Sequence, residues 1–190
     1  MPASEDDLRR ECWDAALHAH GTAHIFQKRA VALRRKNDML SYVGFAVPLV
    51  IGALAGTFGQ ADLWVVVITV GSVITAGQLV VSLWSVIKQW PAELAFASAS
   101  TTANESLAMR FAGLGANPPS TLQELRTQFE KLQVEDSGRR HMDNDKGVTE
   151  KERRRGMRHA LRKYQRACAA CQQVPTSMES TSTCGVCSQF

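Results

Sequence analysis

Charge is what the middle of this chain lacks. Residues 39–61 and 63–87 contain no Asp, Glu, Lys or Arg, and Asp62 alone interrupts them. A water-soluble helix needs polar side chains on its outward face, so two successive runs of this length argue against a wholly solvated fold. At 1.5 Å per residue, either run can cross the roughly 30 Å hydrocarbon layer of a bilayer. The near-neutral average hydropathy is an average over two solvents. The usual arrangements of catalysis are lacking as well. There is no nucleophile beside a base, no phosphate-binding glycine loop and no acid pair in a credible setting, so no enzymatic activity is expected.

The charges that remain orient the runs. Lys28, Arg29, Arg34, Arg35 and Lys36 precede the first and Lys88 follows the second, whereas Gly59 to Asp62 carries no basic residue. The positive-inside rule then puts both termini in the cytoplasm. Tyr42, Trp64, Trp84 and Trp90 fall near the ends of the runs, as interfacial aromatics do. The first run starts too late in the chain to be a secretory signal.

The predicted fold class is therefore an all-α membrane protein: a two-helix transmembrane hairpin with a cytoplasmic helical bundle and a small C-terminal zinc-ribbon-like module. Its parts are a cytoplasmic N-terminal helix (1–38), the hairpin (39–90), cytoplasmic helices (91–136), a loop (137–150), a basic helix (151–167) and a metal-binding tail (168–190). The first helix opens with a capping box at Ser4 and Asp7. Cys12, Ala16, Ala19, Ala23, Phe26, Ala30 and Leu33 then recur by four and three, a seam of mostly small residues suited to close packing. Leu94, Ala97, Thr101, Asn104, Ala108 and Phe111 repeat that spacing after Trp90-Pro91. Gly21 costs helicity within the first helix and suggests a bend.

Within the first run Gly44, Pro48, Gly52 and Gly56 stand four apart, a pattern that lets another backbone approach closely in lipid. In the second run Gly71, Thr75, Gln78, Ser82 and Ser85 share one face among Val, Ile and Leu. An amide at mid-bilayer turns toward protein or water, so this stripe is either hydrogen-bonding glue in a helix interface or the lining of an aqueous pore. Two helices cannot enclose a water-filled path alone, so a pore requires a homo-oligomer.

KERRRGMRHALRKYQR, residues 151–166, holds eight basic residues and one acid. Arg154, Arg158, Arg162 and Arg166 form a row spaced by four. The row reads as a solvated face that neutralises acidic neighbours, or as a contact for anionic membrane lipid, nucleic acid or a phosphorylated small ligand. Directly after it come Cys168 and Cys171, then Cys184 and Cys187, with twelve residues between the pairs. In a reducing cytoplasm four such thiols predict a structural Zn²⁺ site, closed to hydrolysis because no coordination position is left open. His20 and His24, at i and i+4, offer two ligands without a carboxylate partner, and read with His18 as surface or interhelical residues.

The order of elements over residues 4 to about 134, with the segments GALAG and ITAGQLVVSLWS, resembles the SLATT family of bacterial two-transmembrane effectors that accompany cyclic-nucleotide synthetases in antiphage defence. The tail looks like the small CxxC-spacer-CxxC proteins of prokaryotic mobile elements. The SLATT resemblance implies a two-pass protein of the inner membrane, an oligomeric effector that permeabilises it when a nucleotide signal or a defence partner protein reports infection. A membrane-anchored module whose zinc tail holds protein or nucleic acid is a second expectation, and a holin-like phage protein a third.

Overall fold

The structure is a computed structural model that describes residues 4–58, 63–180 and 182–190, and for residues 48, 51, 54–58, 63, 64 and 67 it describes the backbone alone. The expected connection at Gly59–Asp62 lies outside the described residues. Among those residues every regular element is helical. They are α1 (Glu5–Phe58), α2 (Leu63–Ile87), α3 (Trp90–Ala116), α4 (Leu122–Asn144) and α5 (Glu150–Lys163). The chain forms two compact units: Met1–Lys28 with Ala97–Phe190, and Arg29–Phe96.

The first unit is built on the predicted seam. Ser4 Oγ accepts from the Asp7 amide at 3.2 Å while the Ser4 amide donates to Asp7 Oδ2 at 3.2 Å, closing the first turn of α1 reciprocally. Downstream, Leu8, Cys12, Ala16 and Ala19 are buried in one core with Leu107, Ala108, Phe111 and Leu114 of α3 and Leu125, Phe129 and Leu132 of α4. Small residues on α1 let the larger side chains of α3 and α4 fill the space. The Phe111 and Phe129 rings meet edge to face at 5.9 Å. α4 begins where Thr121 accepts from the Glu124 amide, and α5 where Thr149 and Glu152 form a full capping box.

The loop expected over 137–150 is corrected, because α4 continues to Asn144. Its polar end is held by side chains rather than by an apolar stripe. Arg139 pairs with Asp143 and Arg140 with Asp136, each one turn apart. Asp143 is buried, and its carboxylate also accepts from Ser100 Oγ at 2.7 Å and Asn104 Nδ2 at 2.7 Å on α3. A buried carboxylate is tolerable when it is paired and hydrogen-bonded in this way. The basic helix, expected over 151–167, ends at Lys163, after which Gln165 has φ 50°.

The second unit holds the C-terminal part of α1 and all of α2. α2 ends at Ile87, Gln89 takes φ 50°, and α3 begins at Trp90 with Pro91 in its first turn, where a missing amide proton costs nothing. Lys36 Nζ stands 5.4 Å from the Trp90 ring centre, and Lys88 Nζ 5.2 Å from that of Trp84. Large apolar side chains face outward on both helices, among them Phe45 (76% exposed) and Leu49 on α1 and Val73 and Leu83 on α2. One helical segment among the described residues, Ile68–Ile87, is long and apolar enough to cross a membrane. The sequence predicts two such spans, and one helix among the described residues has the length and apolarity for it.

Candidate metal centre

The four tail cysteines converge. Cys168 Sγ lies 3.9 Å from Cys184 Sγ and Cys171 Sγ 3.7 Å from Cys187 Sγ, and all four sulfurs fall within 4.8 Å of one another. Metal–sulfur bonds of about 2.3 Å in a tetrahedron put neighbouring sulfurs about 3.8 Å apart. The donor set therefore fits a single metal ion held by four thiolates, as in zinc-binding CxxC sites. None of the cysteines is paired as a disulfide. Among the described residues no other group of His, Cys, Asp or Glu brings three ligand atoms so close.

Local backbone turns make the convergence. The Gln172 amide donates to Cys168 O at 2.8 Å and the Cys168 amide to Gln173 O at 3.0 Å, and Gln172 sits at φ 57°. In the second pair the Val186 amide points at Cys184 Sγ at 3.5 Å. Amides of Cys187 and Val186 draw the Cys184 thiol down to about 6, which favours the thiolate that a metal needs. Burial pushes the Cys187 thiol up. Ser188, fully buried, ties the segments on either side of the second cysteine pair together: its hydroxyl meets Ser180 Oγ at 2.9 Å and accepts from the Ser182 amide at 3.3 Å.

The cluster is part of the core and not an appendage. Cys168 and Cys187 are buried with Leu17 of α1 and Ala160 and Leu161 of α5, and Met157, Tyr164, Cys171 and Cys184 pack against them. Arg158 supplies the polar half of this attachment. Its side chain is buried, with Nε donating to Ser177 O at 2.8 Å and Nη1 to Cys187 O at 3.2 Å. Of the predicted arginine row, Arg158 thus faces the tail and is not open to lipid, nucleic acid or a small ligand. Arg154 reaches Gln189 at 3.4–3.5 Å, Arg166 pairs with Asp14 of α1, and Arg162 is exposed.

α5 is seated on α1 at two glycines. A Cβ on Gly156 would lie 2.6 Å from Gly21 O and 2.9 Å from Ile25 Cγ1, so the two backbones touch there. Gly21, expected to mark a bend, serves this close crossing within a continuous helix. Beside the crossing His159 stacks on His24 at 3.8 Å and on His20 at 5.0 Å. His20 Nε2, both His24 nitrogens and His159 Nδ1 are buried without a hydrogen-bond partner. The rings lie face to face rather than aiming nitrogens at one point, so the trio is an interhelical stack and not a second metal centre. Burial and the neighbouring Lys163 and His159 hold the His20 imidazole down at about 4; burial, His159, Lys28 and Arg155 do the same for His24. Cys12, fully buried in the core formed with α3 and α4, has its thiol pushed up to about 11 by burial and is an inert core residue.

The residues marked for helix packing and the polar stripe lie in the second unit. A Cβ on Gly44 would lie 2.9 Å from Gln78 Nε2, so Gly44 makes room for that amide, while Gly52 meets nothing within 4 Å. The surroundings of Gly56 and Pro48 lie outside the described side chains. Gly71 and Ser85 are buried, Ser82 is half-buried, and Thr75 Oγ1 donates to Gly71 O at 2.8 Å. The stripe is thus brought together with α1 at Gln78. Sequence reasoning missed His159, the Gly156 contact and the inward turn of Arg158. An i, i+4 histidine pair and a glycine amid arginines were the only signals available.

A family model described as "Mobilome CxxCx(11)CxxC protein" matches residues 9–190. Here twelve residues separate the two pairs, one more than that description has. No curated protein and no solved structure matches.

Proposed function

The chain belongs to the mobilome CxxCx(11)CxxC family, and we propose that it is an oligomeric membrane-permeabilising effector of prokaryotic antiphage defence, of the SLATT type, in the bacterial inner membrane. In this reading residues 39–61 cross the bilayer beside Ile68–Ile87, and both termini are cytoplasmic. The observation that carries it is the apolar surface of the second unit. Phe45, Leu49, Val65, Val73, Leu83 and Ile87 are all more than 60% exposed, a surface that water disfavours and lipid accepts. In this reading the contact of Gln78 with Gly44 belongs to a closed resting hairpin. Opening it exchanges the partner of Gln78 between copies and turns the stripe toward a shared aqueous path.

The ion in the thiolate cluster is Zn²⁺, which supplies folding energy and no chemistry of its own. A nucleotide signal or a partner protein triggers the effector through the unit that contains the cluster. The test is dye release from liposomes containing the purified chain, with membrane potential followed in cells that express it. Leakage lost in Gln78→Leu supports the proposal. A chain that fractionates with membranes yet never alters the potential, with candidate partners co-expressed, refutes it. The second reading, a membrane-anchored module for protein or nucleic acid, draws support from the same Gln78–Gly44 contact, because it occupies the Gln78 amide within one chain. Salt-sensitive retention of nucleic acid by the intact protein favours that reading.

A further inference from the structure

The second unit contains a slot of about 330 Å³ between α1 and α2, at the low end of the range for small-molecule sites. Leu40 and Val43 wall it on one side and Ile74 and Val81 on the other, so its length is apolar. Gln78 also lines it, its amide against Gly44, closing the gap between the helices. The remaining ends of the lining are different in kind. Lys36 and Trp90 line the slot too, with the ammonium held over the indole face. Lys36 and Val43 are seven residues apart, so the walls run for about 10 Å along the helix axis.

We propose that this slot binds one anionic phospholipid of the surrounding bilayer, its phosphate at Lys36 and the upper part of one acyl chain between the walls. The inference rests on the membrane reading of this unit. Three features select the occupant. An apolar slot open along two lipid-facing helices is filled by a chain of the solvent, which here is hydrocarbon. A tryptophan at the slot end matches the headgroup level, where indoles settle. The charge is one-sided as well: residues 29–40 carry Arg29, Arg34, Arg35 and Lys36 against Asp38 alone. Basic pockets between membrane helices on the cytoplasmic side are a recurrent form of anionic headgroup site. A zwitterionic lipid would fill the walls equally, but its ammonium group offsets the phosphate charge and weakens the attraction at Lys36.

The experiment uses the full chain in nanodiscs, with Trp13, Trp64 and Trp84 replaced by Phe so that Trp90 alone fluoresces. Brominated phosphatidylglycerol and brominated phosphatidylcholine are compared as quenchers at equal mole fraction. The expected result is a preference for the anionic lipid of about fivefold, the equivalent of about 1 kcal/mol for one lysine at the surface. Lys36→Gln removes that preference, and Val43→Phe, which fills the slot, reduces quenching by both lipids. Native mass spectrometry of the unsubstituted chain, expected to retain one phosphatidylglycerol, guards against loss of fold in the tryptophan variants. Equal quenching by the two lipids, or a preference that survives in Lys36→Gln, overturns the proposal. So does protection of Trp90 from both lipids while the chain floats with vesicles, since a second copy would then cover the slot. Failure to float at all overturns the membrane reading itself and is distinguished by that assay.

Discussion

Gly156→Ala is the most direct perturbation of the way α5 sits on α1. In an exposed helix the exchange gains about 1 kcal/mol from propensity. Here the new Cβ would stand 2.6 Å from Gly21 O and 2.9 Å from Ile25 Cγ1. Ordinary carbon–oxygen contacts begin at about 3.3 Å, so the backbones must part by more than half an ångström across a core that contains Leu17 and Ala160. Overpacking of this kind costs about 1–3 kcal/mol, and a backbone obstacle belongs at the upper end. The net is a loss of about 2 kcal/mol. Gly138 is the control: it lies within α4 with nothing within 4 Å of its Cβ position, so Gly138→Ala gains about 0.5–1 kcal/mol. Thermal unfolding of the detergent-solubilised chain reads both, with midpoints moving in opposite directions by a few degrees. A Gly156→Ala variant as stable as Gly138→Ala would refute the close crossing.

Acidification provides a second test. His20 and His24 are held neutral at about 4 in the fold against 6.5 when free, so the unfolded chain takes up protons first. Their contribution is complete above pH 6.5 and is lost as pH falls toward 4, at about 1.4 kcal/mol per unit for each ring. His24→Phe should keep a ring in the stack and flatten the stability profile between pH 7 and 5, and an unchanged slope there would remove the histidines from the account. Metal analysis should find one ion per chain, and Co²⁺ in its place should give the spectrum of a tetrahedral thiolate site. Chelation or Cys184→Ser should expose the chain beyond Tyr164 to protease, and a tail that stays protected without metal would contradict a metal-dependent fold. Arg158→Met strands the carbonyls of Ser177 and Cys187 and should cost about 2–4 kcal/mol, read as faster metal loss, whereas Arg162→Ala should stay within about 0.5 kcal/mol.

What could be read from the amino acids alone was local. The seam of Cys12, Ala16 and Ala19, the Ser4 cap and the two CxxC pairs each declare themselves within a few residues, because helix periodicity and ligand spacing are short-range properties. The end of α4 was hidden because its helicity depends on one buried carboxylate, Asp143, whose partners Ser100 and Asn104 are about forty residues away. Gly21 and Gly156 are both poor helix formers, and only their juxtaposition explains them. The arginine row was visible as a row, yet which member turns inward is decided by the carbonyls of Ser177 and Cys187 in the tail. The paired crossing of the bilayer was argued from absent charge, which marks an apolar solvent without showing how many helices share it.

The tail's place in the core changes what a metal clip means in this chain. A separable zinc module would keep its sulfurs in its own small interior and leave α5 free when emptied. Here Cys168 and Cys187 share their burial with Leu17, Ala160 and Leu161, and Arg158 bonds to the backbone of Cys187 itself. A metal ion in the cluster would therefore keep apolar surface of α1 and α5 covered and hold the Arg158 bonds to the tail backbone in place. The glycine crossing and the histidine stack lie on the same pair of helices, so a metal bound by the cluster would stabilise the seating of α5 as well as the tail.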